Sequence, residues 1–222
     1  DKAVVYINLP YWWSNIVDRE IFPNGKIIYD CIDECHVYSR NKRVLDVIEK
    51  SERKLAKEAD LVLATAKTLH EKLKPLNNFV HLLPNGVDTS MFIKDSYDTP
   101  DDIVSLTKPA LGFIGSLYHW IDLSVFAVLA EKFPNATIVL IGPAESNEFK
   151  SLLERHKNIL YLGPRSYKTV PDYISAFDVC LNPFKMDRIG DGVNPLKLYE
   201  YLSLGKPIVS SRTKEMEKFG EY

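Results

Sequence analysis

The sequence predicts an α/β protein made of two doubly wound, parallel-sheet domains, and three observations predict it. Short apolar runs rich in β-branched residues alternate with helical stretches along the whole chain. Three of these runs, ALGFIGS (110–116), TIVLIGP (137–143) and ILYLGP (159–164), end in glycine followed by serine or proline. A polar stretch without periodicity divides the pattern in two. Strands separated by helices need right-handed crossovers, and these give parallel sheets covered on both faces.

Residues 3–8 (AVVYIN) and 26–30 (KIIYD) read as the first two strands, joined by a connection containing Tyr11, Trp12 and Trp13. A long helix is expected over 41–58, with Val44, Leu45, Ile48, Leu55 and Ala59 as its apolar side. DLVLA (60–64) is a short buried strand, and Thr65 is the expected cap of a helix carrying Leu69 and Leu73. FVHLL (79–83) closes this section, and PNGVD (84–88) is a turn. The first domain is expected over 1–90, a linker over 91–108, and the second domain over 109–222.

The second section alternates more clearly. Strands at 110–116, 137–143, 159–164 and 178–184 alternate with helices near 122–132, 146–156 and 168–176, and the last of them runs into a loop. A final helix and strand occupy NPLKLYEYLSLGKPIV, residues 194–209. Asn194 is its expected N-cap and Pro195 its first residue, while Gly205 and Pro207 stop it. A 3.6-residue period places Pro195, Leu198, Tyr199 and Leu202 on one apolar stripe, with Lys197, Glu200 and Tyr201 opposite.

Bulk composition narrows the function classes. The 222 residues carry 28 Lys and Arg against 30 Asp and Glu, a formal charge of −2 that gives no general pull towards nucleic acid. Cys31, Cys35 and Cys180 suit a reducing compartment, and Cys31 and Cys180 read as strand residues rather than as part of a metal set with His36. No apolar run approaches the roughly 20 residues of a membrane span, and no signal peptide is evident, so a cytoplasmic location is expected. The run Tyr11-Trp12-Trp13 with Ile16 and Ile21 either packs under the first domain or touches a lipid surface at the inner face of the membrane. The chain starts at Asp1, leading directly into a strand, and stops at Tyr222 just after a fifth strand; both points suggest a fragment.

Open parallel sheets bind ligands beyond the carboxyl ends of their strands. In the second section those ends are Gly115-Ser116, Gly142-Pro143, Gly163-Pro164 and Asn182-Pro183. Neither GxGxxG nor GxxxxGK[ST] occurs, so a phosphate would have to use a helix N-terminus and separate bases. The helix beginning at Asn194 offers such a terminus, with Lys197 in its first turn and Arg188 just upstream. A Lys197–Glu200 surface pair is the plain alternative. In the first section, Asp33, Glu34 and His36 follow a strand end, with Asp30 nearby, and could supply a base or bind hydroxyls, or form a solvated loop.

Four separated motifs resemble one family: PNGVD with Phe92, GFIGSLYHWIDL (112–123), ILYLGPRSYKTVPDYISAFDVCLNPF (159–184) and NPLKLYEYLSLGKPIVSS (194–211). Together they resemble the GT-B glycosyltransferases of group 1, family GT4, and within it the teichuronic acid and capsule-type branch. The resemblance implies two Rossmann-like domains facing across a cleft, the second binding a nucleotide-diphospho-sugar, a UDP-sugar first, and the first shaping the acceptor site. It implies a retaining, metal-independent transfer to a saccharide or lipid-linked saccharide in surface-polysaccharide synthesis, with no cofactor. Glu200 matches the second acid of the family's E-x7-E motif, which contacts the donor ribose. Asn194, Pro195, Lys197 and Leu198 match the turn that meets the diphosphate and sugar, and Gly163, Pro164 and Arg165 match the exit where the base docks. The first acid falls at Gly192, where Asp191 is the neighbouring substitute. The family's Arg and Lys after the first strand correspond to Ser116 and the His119-Trp120 region. Two other classes fit the same residues, a nucleotide-sugar epimerase and a nucleotide-sugar-binding or interaction module without turnover.

Overall fold

A computed structural model describes residues 3–144 and 146–220; the expectations attached to Asp1 and Tyr222 lie outside them. The elements run in order β1 (Val4–Ile7), β2 (Lys26–Cys31), α1 (Lys42–Glu58), β3 (Leu61–Ala64), α2 (Lys67–Leu73) and β4 (Val80–Leu82). There follow α3 (Thr89–Phe92), β5 (Ala110–Ile114), α4 (Leu123–Lys132), β6 (Thr137–Ile141), α5 (Asn147–Arg155) and β7 (Ile159–Gly163). The last are α6 (Val170–Ser175), β8 (Val179–Asn182), α7 (Arg188–Gly192), α8 (Leu196–Ser203) and β9 (Ile208–Ser210). Every strand pairing is parallel, in two sheets of order β1-β2-β3-β4 and β7-β6-β5-β8-β9.

The chain divides into two compact units that interleave in sequence. Unit one holds the residues up to Asn85 together with Met186–Asn194 and those from Arg212 on. Unit two holds Gly86–Lys185 and Pro195–Ser211. A division by sequence alone at 91–108 misses this, because the chain passes between units more than once. The polar stretch over 91–108 also differs from an open linker. Phe92 and Ile103 are buried in the core of unit two, and Lys94 pairs with Asp172 at 2.8 Å. Arg165 pairs with Asp102 at 2.8 Å. Two apolar anchors in twenty polar residues have no period to reveal them.

Unit one is built on Ile27, Tyr29, Val62 and Ala64 of its sheet, covered by Ile48, Leu55 and Ala56 of α1 and by Leu69 and Leu73 of α2. Asn41 caps α1, its side-chain oxygen accepting from the backbone N–H of Arg43 and Val44. Val44, expected on the apolar side, is exposed, because the first turn of α1 runs past the sheet edge. Thr65 does not cap α2. Its hydroxyl donates to the Ile32 carbonyl, and the Lys67 N–H at the start of α2 donates instead to the Glu215 carboxylate at 2.7 Å. An acid at a helix N-terminus suits the dipole, and one from so distant a position in sequence leaves no local trace. The aromatic connection splits. Trp13 is fully buried and its indole N–H donates to Glu58 at 2.9 Å, whereas Tyr11, Trp12, Ile16 and Ile21 are exposed. No helix among the described residues is long and apolar enough to cross a membrane.

Unit two places β5 at the middle of its sheet, and all five of its residues are buried. The chain leaves β5 towards β6 and β7 on one side and returns to β8 and β9 on the other. The carboxyl ends of β5 and β8 therefore flank the point where the winding reverses, the position at which doubly wound sheets bind ligands.

Candidate functional site

Three strand exits of unit two are fastened in a row at the carboxyl rim. The Gly115 N–H donates to the Ile141 carbonyl at 2.9 Å, and the Gly142 N–H donates to the Gly163 carbonyl at 3.0 Å. Gly142 has φ +134, and a Cβ there would lie 2.0 Å from the Gly115 carbonyl oxygen, so only glycine allows this close passage. The loop after β5 is laced to the β8 exit. The Asp122 N–H donates to the Pro183 carbonyl and the Lys185 N–H to the Trp120 carbonyl. His119 lies edge-on to Trp120 with centroids 4.9 Å apart. These bonds bring Phe184 to the end of β5.

Lys197, in the first turn of α8, lies in the space so made. Its Nζ sits 5.0 Å from the Phe113 ring centroid and 4.6 Å from that of Phe184. A Cβ on Gly115, whose φ is +148, would come within 2.8 Å of the Lys197 Cε. The missing side chain at Gly115 is thus the room that Lys197 occupies. Burial brings the Lys197 ammonium down to about 8, against the pull of Glu200 in the other direction. A desolvated cation over two ring faces, beside the free N–H groups at the start of a helix, is suited to receive an anion. The helix start itself differs from expectation. Pro195 occupies the cap position with no side-chain hydrogen bond, and Asn194 caps nothing. Its amide is committed within unit one, where it accepts from the Asn85 N–H at 2.9 Å and donates to Glu215 at 2.8 Å. At the far end, Gly205 takes the left-handed conformation, φ +63, that the sequence calls for.

The buried face of α8 is also not the predicted stripe. Leu198, Glu200 and Tyr201 point inward and Leu202 is exposed. Leu198 and Tyr201 are one turn apart, and the Tyr201 hydroxyl accepts from the buried Ile114 N–H at 3.0 Å, which draws that face onto the sheet. Glu200 is carried in with it and is only 5% exposed. Its carboxylate accepts a 2.7 Å hydrogen bond from Tyr167, which arrives from the turn after β7. Burial raises the Glu200 carboxyl above its ordinary range, and the Tyr167 hydrogen bond and Lys197 pull it down.

Unit two thus brings together Gly115, Ser116, Gly163, Pro164, Lys197, Leu198 and Glu200. Gly163 (φ +71) has open space around it and Pro164 is exposed, whereas Arg165 turns back into a network with Asp102, the Tyr173 hydroxyl and the Leu162 carbonyl. The remaining candidates belong to unit one. Arg188 pairs there with Glu34 at 2.8 Å and Glu49 at 3.7 Å, and Asp191 accepts from the Lys214 N–H at 3.2 Å. Gly192 packs beside Glu34, with room for a Cβ 3.1 Å from the Glu34 Cβ.

Glu34 belongs to a buried charge cluster. It and Glu52 are each 2% exposed and share Lys72, at 3.1 and 2.8 Å. The Tyr29 hydroxyl donates to Glu52, and His36 Nδ1 lies 3.4 Å from Glu34. Burial raises Asp33 to about 6. Cys31, Cys35 and Cys180 are buried and free, and no three His, Cys, Asp or Glu side chains among the described residues could share a metal ion. Sequence reasoning did not single out Tyr167, Phe113 or Phe184. All three lie within quoted motifs, but their roles come from which strand ends are neighbours, and residue spacing does not carry that.

The model of the family described as "Glycosyl transferases group 1" matches residues 108–221. TuaH of Bacillus subtilis (strain 168), named as a teichuronic acid biosynthesis glycosyltransferase, is 30% identical over 211 residues, covering 87% of this chain. The chain belongs to the group 1 glycosyltransferases. It spans 53% of the length of TuaH. Among solved structures of this GT-B fold, Anabaena Alr3699/HepE in complex with UDP superposes with a TM-score of 0.67 at 17% identity, over 99% of this chain and 62% of that one. WaaG, a glycosyltransferase involved in lipopolysaccharide biosynthesis, gives 0.66 at 16% identity, over 90% of this chain and 63% of that one. As a group 1 glycosyltransferase, the chain carries the family-matched region mostly in unit two, where Lys197 and Glu200 meet the sheet rim.

Proposed function

We propose that the protein transfers a sugar from a nucleotide-diphospho-sugar, a UDP-sugar, to a saccharide or lipid-linked saccharide in cell-surface polysaccharide synthesis. The observation that carries this reading is the pairing of a desolvated lysine and a buried glutamate on one helix at the switch point of a parallel sheet. Glu200 receives hydrogen bonds from the vicinal hydroxyls of the ribose, which a carboxylate can accept as a pair. Gly163 and Pro164 leave backbone open for the base, and Gly115 and Ser116 line the path of the sugar. As the bond from the anomeric carbon to the diphosphate breaks, charge grows on the diphosphate oxygens. Lys197 and the N–H groups at the start of α8 stabilise it there. Arg188 and Asp191 are paired within unit one, so the proposal rests the diphosphate charge on Lys197 and the helix start. Asp33, Glu34 and His36 are the acceptor-side candidates, Asp33 being the one that changes charge near neutral pH.

Retention of configuration and independence from a metal ion are part of this reading and rest on the family resemblance. UDP is printed as bound by HepE and TarM structures, which supports a uridine donor. Thermal-shift binding across UDP-, GDP- and ADP-sugars tests the donor, and release of free nucleoside diphosphate that depends on an added acceptor tests transfer. Nucleotide release without any acceptor dependence, or no stabilisation by any of the three donors, would sink the proposal. Isomerised donor in the absence of acceptor would instead identify an epimerase.

A further inference from the structure

Tyr167 is the hydrogen-bond donor that reaches the Glu200 side chain among the described residues. It is 49% exposed, so its phenol could hydrogen-bond to water, yet it donates 2.7 Å inward to a buried carboxylate. Two features hold it there. Its ring meets Phe92 edge to face, with centroids 5.7 Å apart, and Phe92 is fully buried at the end of α3. That short helix is in turn capped by Asp88, which accepts from the Ser90 N–H and hydroxyl. From below, Tyr167 is set by the turn after β7, where the Thr169 N–H and hydroxyl both donate to the Ser166 carbonyl. Lys197, three residues before Glu200, directs its ammonium at the Phe113 and Phe184 rings. The phenol is therefore what fixes the carboxylate.

A carboxylate has about four lone-pair sites on two oxygens. One hydrogen bond from Tyr167 uses one site and removes the rotational freedom of the group. We propose that Tyr167 is a positioning residue of the donor site: anchored on Phe92, it orients the Glu200 carboxylate so that its remaining lone pairs meet the two hydroxyls of a nucleoside ribose. This rests on the donor-site reading above. Tyr167 also keeps Glu200 ionised, because its hydrogen bond opposes the effect of burial. Without the phenol, the carboxyl would bind the diol with fewer acceptor sites and more often protonated.

The test compares wild type, Tyr167→Phe and Glu200→Gln in the full chain, measuring affinity for UDP and for 2′,3′-dideoxy-UDP by calorimetry between pH 5.5 and 8.5. Wild type should prefer UDP by about tenfold or more, the scale of hydrogen bonds to a charged group. Both variants should lose most of that preference while binding the dideoxy compound about as well as wild type. In Tyr167→Phe the preference should also recover partly as pH rises, because Glu200 ionises later. A merely structural tyrosine would lower the melting temperature and weaken both ligands together. Tyr167→Phe retaining the full preference while Glu200→Gln loses it would overturn the role of Tyr167 alone. Wild type binding neither UDP nor its dideoxy form would overturn the donor-site reading and this inference with it. Phe92→Leu, which loosens the anchor but keeps the phenol, should give an intermediate preference, so a poorly folding Tyr167 variant does not leave the question open.

Discussion

Replacing Lys197 with methionine should make the protein more stable and its donor binding worse. The lysine is brought from 10.5 to about 8 by burial, so at ~1.4 kcal/mol per pH unit its charged form costs about 3 kcal/mol in place. Two ring faces within 5.0 Å offset part of this, at roughly 0.5–1 kcal/mol each for a partly hydrated cation. The balance is about 1–2 kcal/mol against the native lysine. Methionine keeps the alkyl stem beside Gly115 and removes the charge, so Lys197→Met should raise the melting temperature by about 2–6 °C. The same change deletes a charge-assisted contact to the diphosphate worth about 1.5–3 kcal/mol, so UDP should bind about 10- to 150-fold more weakly. Uridine, which lacks the diphosphate, should be affected little. Sign and window follow from the direction of the shift. A lysine lowered in the folded state binds fewer protons there than when unfolded, so its contribution to stability rises with pH between about 8 and 10.5. UDP affinity in wild type should correspondingly fall as pH is raised through about 8, and stay flat in the variant. Differential scanning calorimetry and titration calorimetry read both effects. A variant that melts lower than wild type, or that loses UDP and uridine affinity equally, would refute the assignment.

Three further outcomes are expected. Asp33→Asn should stabilise unit one at pH 7.5 by about 1–2 kcal/mol, because burial raises this carboxyl from 3.8 to about 6 and its ionised form is costly. The gain should vanish below about pH 4, where wild-type Asp33 is protonated in both states; urea melts at the two pH values decide this. Lys72→Met should destabilise unit one by about 3–5 kcal/mol, since Glu34 and Glu52 are buried and would lose their shared cation. Adding Glu52→Gln should recover much of that loss, and simple additivity of the two changes would argue against a coupled cluster. Gly142→Ala should cost at least about 3 kcal/mol, from the clash with the Gly115 carbonyl and a positive φ, and should weaken UDP binding by moving Gly115 under Lys197. Thermal melts and UDP titration check it, and wild-type behaviour in both would show that the rim tolerates the extra carbon.

Local chemistry in the sequence determined the strands, the helices and the rim. β-Branched runs, their glycine exits and the Gly205 stop all act over a few residues, so PNGVD, LIGP and LGKP carry their meaning without the rest of the chain. The placement of Lys197 in the first turn of a helix after the fourth strand of the second sheet was legible for the same reason. The tertiary structure decided what those residues face. A 3.6-residue period puts Tyr201 opposite Leu202, but it cannot say that Tyr201 will meet the Ile114 N–H and take Glu200 into the interior. Asn194 has the composition of a cap, yet its amide is spent on Asn85 and Glu215, partners 109 and 21 residues away. Arg188 reads as a free base upstream of a phosphate site, and Glu34 from the second strand claims it. In each case the deciding partner is distant in sequence, and hydrogen bonds and ion pairs to such partners leave no periodic signal. The opening was set by local sequence: a helix with a lysine and a glutamate after a glycine-edged sheet. Whether that glutamate is solvated or buried against Tyr167 was decided by strand order, because only the β7-β6-β5-β8-β9 arrangement brings those exits to one rim.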